Sequence, residues 1–226
     1  LIKNFKLSAT TLNDYIRDPK DFLFKHILKV AEPENKTMVL GSAIHKVMEF
    51  MNRKYKNEST KPELDELLKI FNTSLNRHIL SEKEMQEVTT EGKKIISNWY
   101  KANIENLTKA MFVEYPFGGK NIHLHDIPLT GKIDKIEKIN DNEIIIIDYK
   151  TGSPKSKNQI IGNIRSKETG YYRQMLFYQL LCELDPSFPY TVNQVCLQYI
   201  KPQNGKYKQV SLQFTTEEMN EFKQLI

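Results

Sequence analysis

A chain of 226 residues with 39% hydrophobic and 27% charged side chains can bury one sizeable core or two small ones. Its formal charge of +5 permits a polyanionic partner without requiring one. No apolar run reaches the roughly 18 residues of a bilayer-spanning helix, no signal-peptide pattern opens the chain, and the two cysteines, Cys182 and Cys196, can make neither a disulfide framework nor a four-cysteine metal or iron–sulfur site; the expectation is a cytoplasmic protein with no membrane partner.

The first 107 residues are mostly helical in pattern. Ser8 and Thr11 offer N-caps ahead of Leu12, Tyr15 and Ile16. Asp18-Pro19 ends that helix and starts a second one carrying Phe22, Leu23, Ile27 and Leu28, because proline is tolerated at the first helical position. "MVLGSAIHKVMEFMNRKY" holds Val39, Ala43, Val47, Phe50 and Met51 at helical spacing, and two more helices are expected at about 62–80 and 82–105. The period then changes. Strands are expected at 110–117, 122–139 and 143–150, with "NDN" turning the chain at 140–142. Residues 151–169 are polar and basic and read as a mobile loop. A helix over about 170–184, strands near 191–201 and 206–214 joined by "PQNG", and a capped helix from Thr215 or Thr216 complete the chain. The fold class expected is α/β: a mixed central β-sheet flanked by helices, in one domain spanning 1–226, helical to about 107 and sheet-containing from about 108. The chain opens at Leu1 and stops inside the helical pattern "EEMNEFKQLI", which reads as a domain of a longer protein.

"EIIIIDYKTG", residues 143–152, drives four isoleucines into an acid and a base. A hairpin folded about Asp141 sets Asp134 opposite Asp148, and directly opposed residues of an antiparallel pair project from the same face. Lys150 shares that face, because side chains alternate with period two. Two carboxylates so close repel, and one would hold a proton unless a cation sits between them. Oxygen donors suit Mg2+ or Mn2+, and the isoleucine run is then a rigid mount for them. The competing reading is an ordinary ion pair at the end of a surface hairpin. Upstream, Gly41, His45 and Glu49 lie at four-residue spacing on one helix face, where the imidazole adds a nitrogen donor. Downstream, Gln174 and Tyr178 are i and i+4 beside an apolar stripe of Met175, Leu176, Leu180 and Leu181.

Together these segments resemble the PD-(D/E)xK nuclease superfamily, and within it the nuclease domain of RecBCD- and AddAB-type helicase–nucleases. "LSATTLNDYIRDPKDFLFKHIL" looks like that branch's opening S-x-T-x-L-x-x-Y segment, "GSAIHKVMEF" its G-x-x-x-H helix, "LTGKIDKI" its G-x-I-D strand, "IIDYKTG" its D-x-K strand and "QMLFY" its Q-x-x-x-Y helix. The resemblance implies a restriction-endonuclease-like core. It implies that His45, Asp134, Asp148 and the Tyr149 backbone carbonyl bind Mg2+ or Mn2+, that Lys150 activates the attacking water and stabilises charge on phosphate, and that Gln174 and Tyr178 position the lysine or the strand. Glu49, one turn beyond His45, would act behind the ligands. Where many members of that branch carry an iron–sulfur cysteine, this chain has Asp18. The cluster is therefore expected to be absent, its staple replaced by packing of Phe22 and Phe24.

The activity so implied is metal-dependent hydrolysis of DNA, exonuclease-like, in recombination or repair, with a helicase domain in cis or in trans. Lys155, Lys157, Arg165, Lys167 and Arg173 are candidate phosphate contacts, and Tyr171 and Tyr172 candidate stacking platforms. Nothing selects a base sequence, so single strands or duplex ends are the expected substrate. The alternative is an inactive nuclease fold that binds DNA without cleaving it. His123 and His125 share a strand face without partner acids, and His26 and His78 sit on amphipathic helices; none is given a special role.

Overall fold

The computed structural model describes residues 5–162 and 170–226. Ser8 caps α1 (Ala9–Arg17) and Thr11 reciprocates, closing a capping box. Asp18 ends α1 and accepts from the Lys20 and Asp21 N–H groups at the start of α2 (Pro19–Phe22), which runs on into a π-helical turn, Leu23–Ile27. The three long helices follow: α3 (Lys36–Glu58), α4 (Leu64–Leu75) and α5 (Glu82–Asn103). The helix expected at 62–80 stops five residues early, at Leu75.

The strands are β1 (Phe112–Pro116), β2 (His123–Leu124), β3 (Ile127–Pro128), β4 (Lys132–Lys138) and β5 (Glu143–Lys150). The single strand expected at 122–139 is thus three pieces. β2 and β3 form their own small hairpin, with His125 at φ 52 in its turn, so His123 and His125 do not share a strand face. The stretch expected as a loop at 151–169 contains a short capped helix, α6 (Lys157–Ile161). Then come α7 (Gly170–Leu184), β6 (Thr191–Tyr199), β7 (Gln209–Leu212) and α8 (Thr216–Leu225), with Thr215 as the last cap.

The main sheet has five strands in the order β1-β4-β5-β6-β7. Among the described strands of this sheet the β5–β6 pair alone is parallel, and α6 and α7 lie in the crossover that a parallel pair requires. β5 is central, and its isoleucines are shared between two cores. Ile144 and Ile146 pack with Leu12 of α1, Leu176 and Leu180 of α7 and Phe222 of α8. Ile147 and Tyr149 pack on the opposite face with Ile44 and Val47 of α3, Phe71 of α4 and Trp99 of α5. A continuous apolar run is what a strand covered on both faces needs. The helical first half of the chain therefore divides, α1 to one side of the sheet and α3–α5 to the other.

The expected aromatic staple is half present. Phe22 packs edge-on against Phe5 and Tyr15, with ring centroids 5.7 and 5.3 Å apart, whereas Phe24 is 54% exposed. The other half is polar: His26 Nε2 lies 2.8 Å from Asp14 Oδ2, and Arg17 lies 2.9 Å from the other oxygen. His26 thus has a structural partner, as does His78, 2.8 Å from Glu34. Cys182 and Cys196 are free and buried. No described helix is long and apolar enough to cross a membrane.

Candidate active site

The β4–β5 pairing runs in register from Lys138↔Ile144 to Lys135↔Ile147, and the next pair in that register is Asp134 and Asp148. The alternation slips beside it. Ile133 and Ile136 both enter the core on the α7 side, three residues apart rather than two or four. Asp134 then uses its side chain where a backbone carbonyl would serve: Oδ2 accepts from the Tyr149 N–H at 2.9 Å. The carboxylate is thereby held at the carboxyl end of β5, the edge at which α/β sheets place their ligands.

Around Asp148 the polar groups form a closed ring. Its Oδ1 accepts from the Tyr178 hydroxyl at 2.7 Å. Tyr178 oxygen accepts from Gln174 Nε2 at 2.8 Å, and Gln174 Oε1 accepts from Lys150 Nζ at 2.5 Å. Lys150 Nζ closes the ring 2.6 Å from Asp148 Oδ2. The i, i+4 spacing on α7 is what aligns Gln174 with Tyr178. The Tyr171 ring lies against the lysine, 4.6 Å from Nζ to centroid, and Lys155 lies 4.8 Å from the same ring. From α3, His45 Nδ1 reaches to 3.3 Å from Asp134 Oδ2. Gly41, one turn earlier, lets α3 approach the end of β5; a Cβ there would stand 3.3 Å from Thr151 Oγ1.

These groups perturb one another. Burial, with Asp134 adding to it, raises the Asp148 pKa against the pull of Lys150. Burial and the neighbouring Asp148 hold the Tyr178 hydroxyl well above its ordinary value, so it stays a donor. Burial disfavours a charged His45, yet the hydrogen bond and charge of Asp134 outweigh it and raise its pKa. The mutual repulsion of the acids is what a bound cation would relieve. Among the described residues, no three His, Cys, Asp or Glu side chains stand grouped as a metal cage: Lys150, Tyr178, Tyr149 N–H and His45 are taking the carboxylate oxygens. Asp148 Oδ2 is nevertheless buried without an aligned hydrogen bond, and the set of imidazole and carboxylates has the donor chemistry of a divalent-ion site.

The other expected contacts divide. Glu49 lies near the site but is engaged by Lys46 at 2.8 Å and Arg53 at 2.9 Å, which lower its pKa against the effect of burial. Lys155 is half-buried beside Tyr171 and Lys157 is exposed at the start of α6. Arg165 and Lys167 lie outside the described residues. Arg173 is not a surface contact: it is 1% exposed, and its Nε donates to Asn13 Oδ1 at 2.7 Å, tying α7 to α1. Tyr172 is also buried, its hydroxyl on Glu218 and its ring edge-on to Phe214.

One acid was missed in the sequence reading. The β1–β4 register pairs Val113 with Lys135 and Tyr115 with Ile133, which sets Glu114 across from Asp134. Glu114 has φ 53, a conformation that costs a non-glycine residue energy and that clusters at functional sites. Its side chain is 8% exposed and paired with Lys132. Burial, with Asp134 and Glu49 nearby, raises its pKa. Glu114, Asp134 and Asp148 thus fall at successive register positions across β1, β4 and β5. The available sequence signal was an acid between Val113 and Tyr115 in an otherwise apolar strand.

Residues 6–226 match the PD-(D/E)XK nuclease superfamily, and the chain belongs to that superfamily. An uncharacterized protein of Rickettsia bellii is 29% identical over 162 residues, covering 68% of this chain and 20% of its own length. One of Rickettsia felis is 30% identical over 168 residues, covering 68% and 19%. The chain spans about one fifth of the length of these curated relatives. The crystal structure of SSO0001 is similar over 95% of this chain and 82% of that one, with 15% identity and a TM-score of 0.33.

Proposed function

We propose that this chain is a DNA nuclease domain of the RecBCD/AddAB type, one unit over 1–226, that hydrolyses phosphodiesters in single strands or at duplex ends. The observation that carries this reading is the closed ring of Lys150, Gln174, Tyr178 and Asp148 beside Asp134 and His45. A structural ion pair needs no glutamine and tyrosine to fix its lysine. His45, Asp134, Asp148 and the Tyr149 carbonyl would hold Mg2+ or Mn2+, which when bound supplies a water of lowered pKa. Lys150 faces the phosphate and offsets the negative charge that grows in the transition state. Gln174 holds the ammonium in place, and Tyr178, kept protonated, steers the Asp148 carboxylate. A helicase joined to or partnered with this unit would feed it strands in recombination or repair.

The purified chain should degrade single-stranded DNA with Mn2+ and stop when EDTA is added. Lys150→Ala and Asp148→Asn should each abolish cleavage while strand binding remains. Binding without cleavage by the unaltered chain, under Mn2+ or Mg2+, would make it a DNA-binding module instead. RNA of the same sequence, assayed in parallel, reads the sugar preference.

A further inference from the structure

Beyond Lys150, the last residue of β5, the chain passes around the side chain of Tyr171 near the start of α7. Lys150 Nζ stands 4.6 Å from the ring centroid and Lys155 Nζ 4.8 Å, and a Cβ at Gly152 would stand 3.5 Å from the ring's hydroxyl. Lys155 is anchored in that position. Ser156, directly after it, caps α6, and Ile160 of that short helix is buried in the same core as Leu176 of α7.

The two lysines differ in what answers their charge. Lys150 is paired with Asp148 and donates to Gln174. The Lys155 ammonium has no carboxylate partner and no hydrogen bond among the described residues, although the residue is half-buried. Attraction to a ring is modest, and two ammonium groups at one ring repel each other. An anion beside Lys155 relieves that repulsion, as a cation would relieve the opposed acids. Their distances from the shared centroid place the two ammonium groups at most about 9.4 Å apart. Successive phosphates of one strand, about 3.4 Å apart along the axis of a duplex and farther apart around it, fit inside that span.

We infer that Lys155 binds the phosphate next to the one cleaved, and that Tyr171 is the positioning residue that sets its distance from Lys150. The inference rests on the nuclease reading above and adds a substrate requirement to it: a charged phosphate on one particular side of the scissile bond. Lysine meets such a phosphate as a point charge, so the contact is indifferent to the base.

The test uses a short single-stranded oligonucleotide whose cut position in Mn2+ has been mapped with the full 226-residue chain. Neutral methylphosphonates then replace, one at a time, the phosphates on either side of the cut. One replacement should slow the unaltered chain about tenfold in kcat/KM. Lys155→Met should slow cleavage of the native oligonucleotide by a similar factor and be indifferent to that replacement. Tyr171→Leu should also lose the sensitivity, and Tyr171→Phe should keep it, because the ring is retained. Lys155→Gln repeats each measurement if the methionine variant fails to fold. Tolerance of both replacements by the unaltered chain, or losses that multiply in Lys155→Met, overturns the inference. A second arm needs no cleavage. Anisotropy of the labelled oligonucleotide in EDTA, from about 50 to about 200 mM salt, should show a slope of log Kd against log salt reduced by about 0.7 in Lys155→Met. An unchanged slope overturns the inference as well. A reduced slope in a chain that never cuts would reject the nuclease reading and leave Lys155 as a phosphate contact.

Discussion

Lys150 touches a carboxylate, an amide and an aromatic ring at once, and each contact has a different consequence when removed. Lys150→Met leaves Asp148 buried without its cation and removes the charge proposed to face the phosphate, so cleavage should fall about 10²–10³-fold or more. Gln174→Leu keeps the charge but frees the ammonium. Its loss should be smaller, roughly tenfold, and should appear in kcat with KM little changed. Single-turnover cleavage in Mn2+ separates the two; equal losses would mean that Gln174 does more than hold Lys150. Titration gives an independent check. His45, Glu114 and Asp148 all have raised pKa values. A raised pKa means that the native state binds more protons than the unfolded chain, so stability is present at low pH and is lost as pH rises through the folded value. The melting temperature of the EDTA-treated protein should therefore rise on going from about pH 8 to about pH 5.5. Glu114→Gln should flatten that rise, and saturating Mn2+ should reverse it. A flat profile in EDTA would count against the coupling of these groups.

At the scale of elements, close approach is what positions the site. α3 presents His45 only because α4 and α5 brace it from behind, and they meet where Gly92 of α5 faces Phe71 of α4. A Cβ at Gly92 would stand 2.0 Å from the ring, which is fully buried and has nowhere to move. Gly92→Ala should cost about 1–3 kcal/mol by overpacking, despite alanine's better helix propensity. Urea unfolding checks it, and a neutral or stabilised variant would show that the two helices can part. α7 is held differently. Asn13 of α1 accepts from Arg173 and donates to the Gly170 carbonyl at 2.9 Å, so one side chain fixes the start of the helix that carries Gln174 and Tyr178. Asn13→Ala should lower stability by about 1–3 kcal/mol. It should leave the salt dependence of strand binding unchanged, since Arg173 is buried; a reduced salt slope would restore Arg173 as a phosphate contact.

For the molecule as a whole, β5 is the common wall of two cores, contributing Ile144 and Ile146 to one and Ile147 and Tyr149 to the other. The two should therefore unfold together. Trp99 fluorescence, which reports the α3–α5 side, and far-UV circular dichroism should give coincident urea transitions. Separate midpoints would divide the chain into two units. Much of this arrangement was legible beforehand, because it rests on short-range periods. The turn at 140–142 and the alternation along "IIIIDYK" fix the hairpin register that sets Asp134 opposite Asp148, and helical spacing aligns Gln174 with Tyr178. What failed was whatever depended on surroundings. α7 is buried around most of its circumference, from Tyr172 and Arg173 to Cys182, so no polar face identified which of its residues met solvent. Periodicity says which residues share a face; it does not say what covers that face. Local sequence thus determined the β4–β5 hairpin, the caps at Ser8 and Thr215 and the acid-and-lysine pattern, since backbone geometry repeats over two to four residues, but not the break of 122–139 into three strands. Packing decided that the first helices split across the sheet, that Arg173 is internal and that Glu114 joins the acids, because those follow from contacts between segments far apart in the chain.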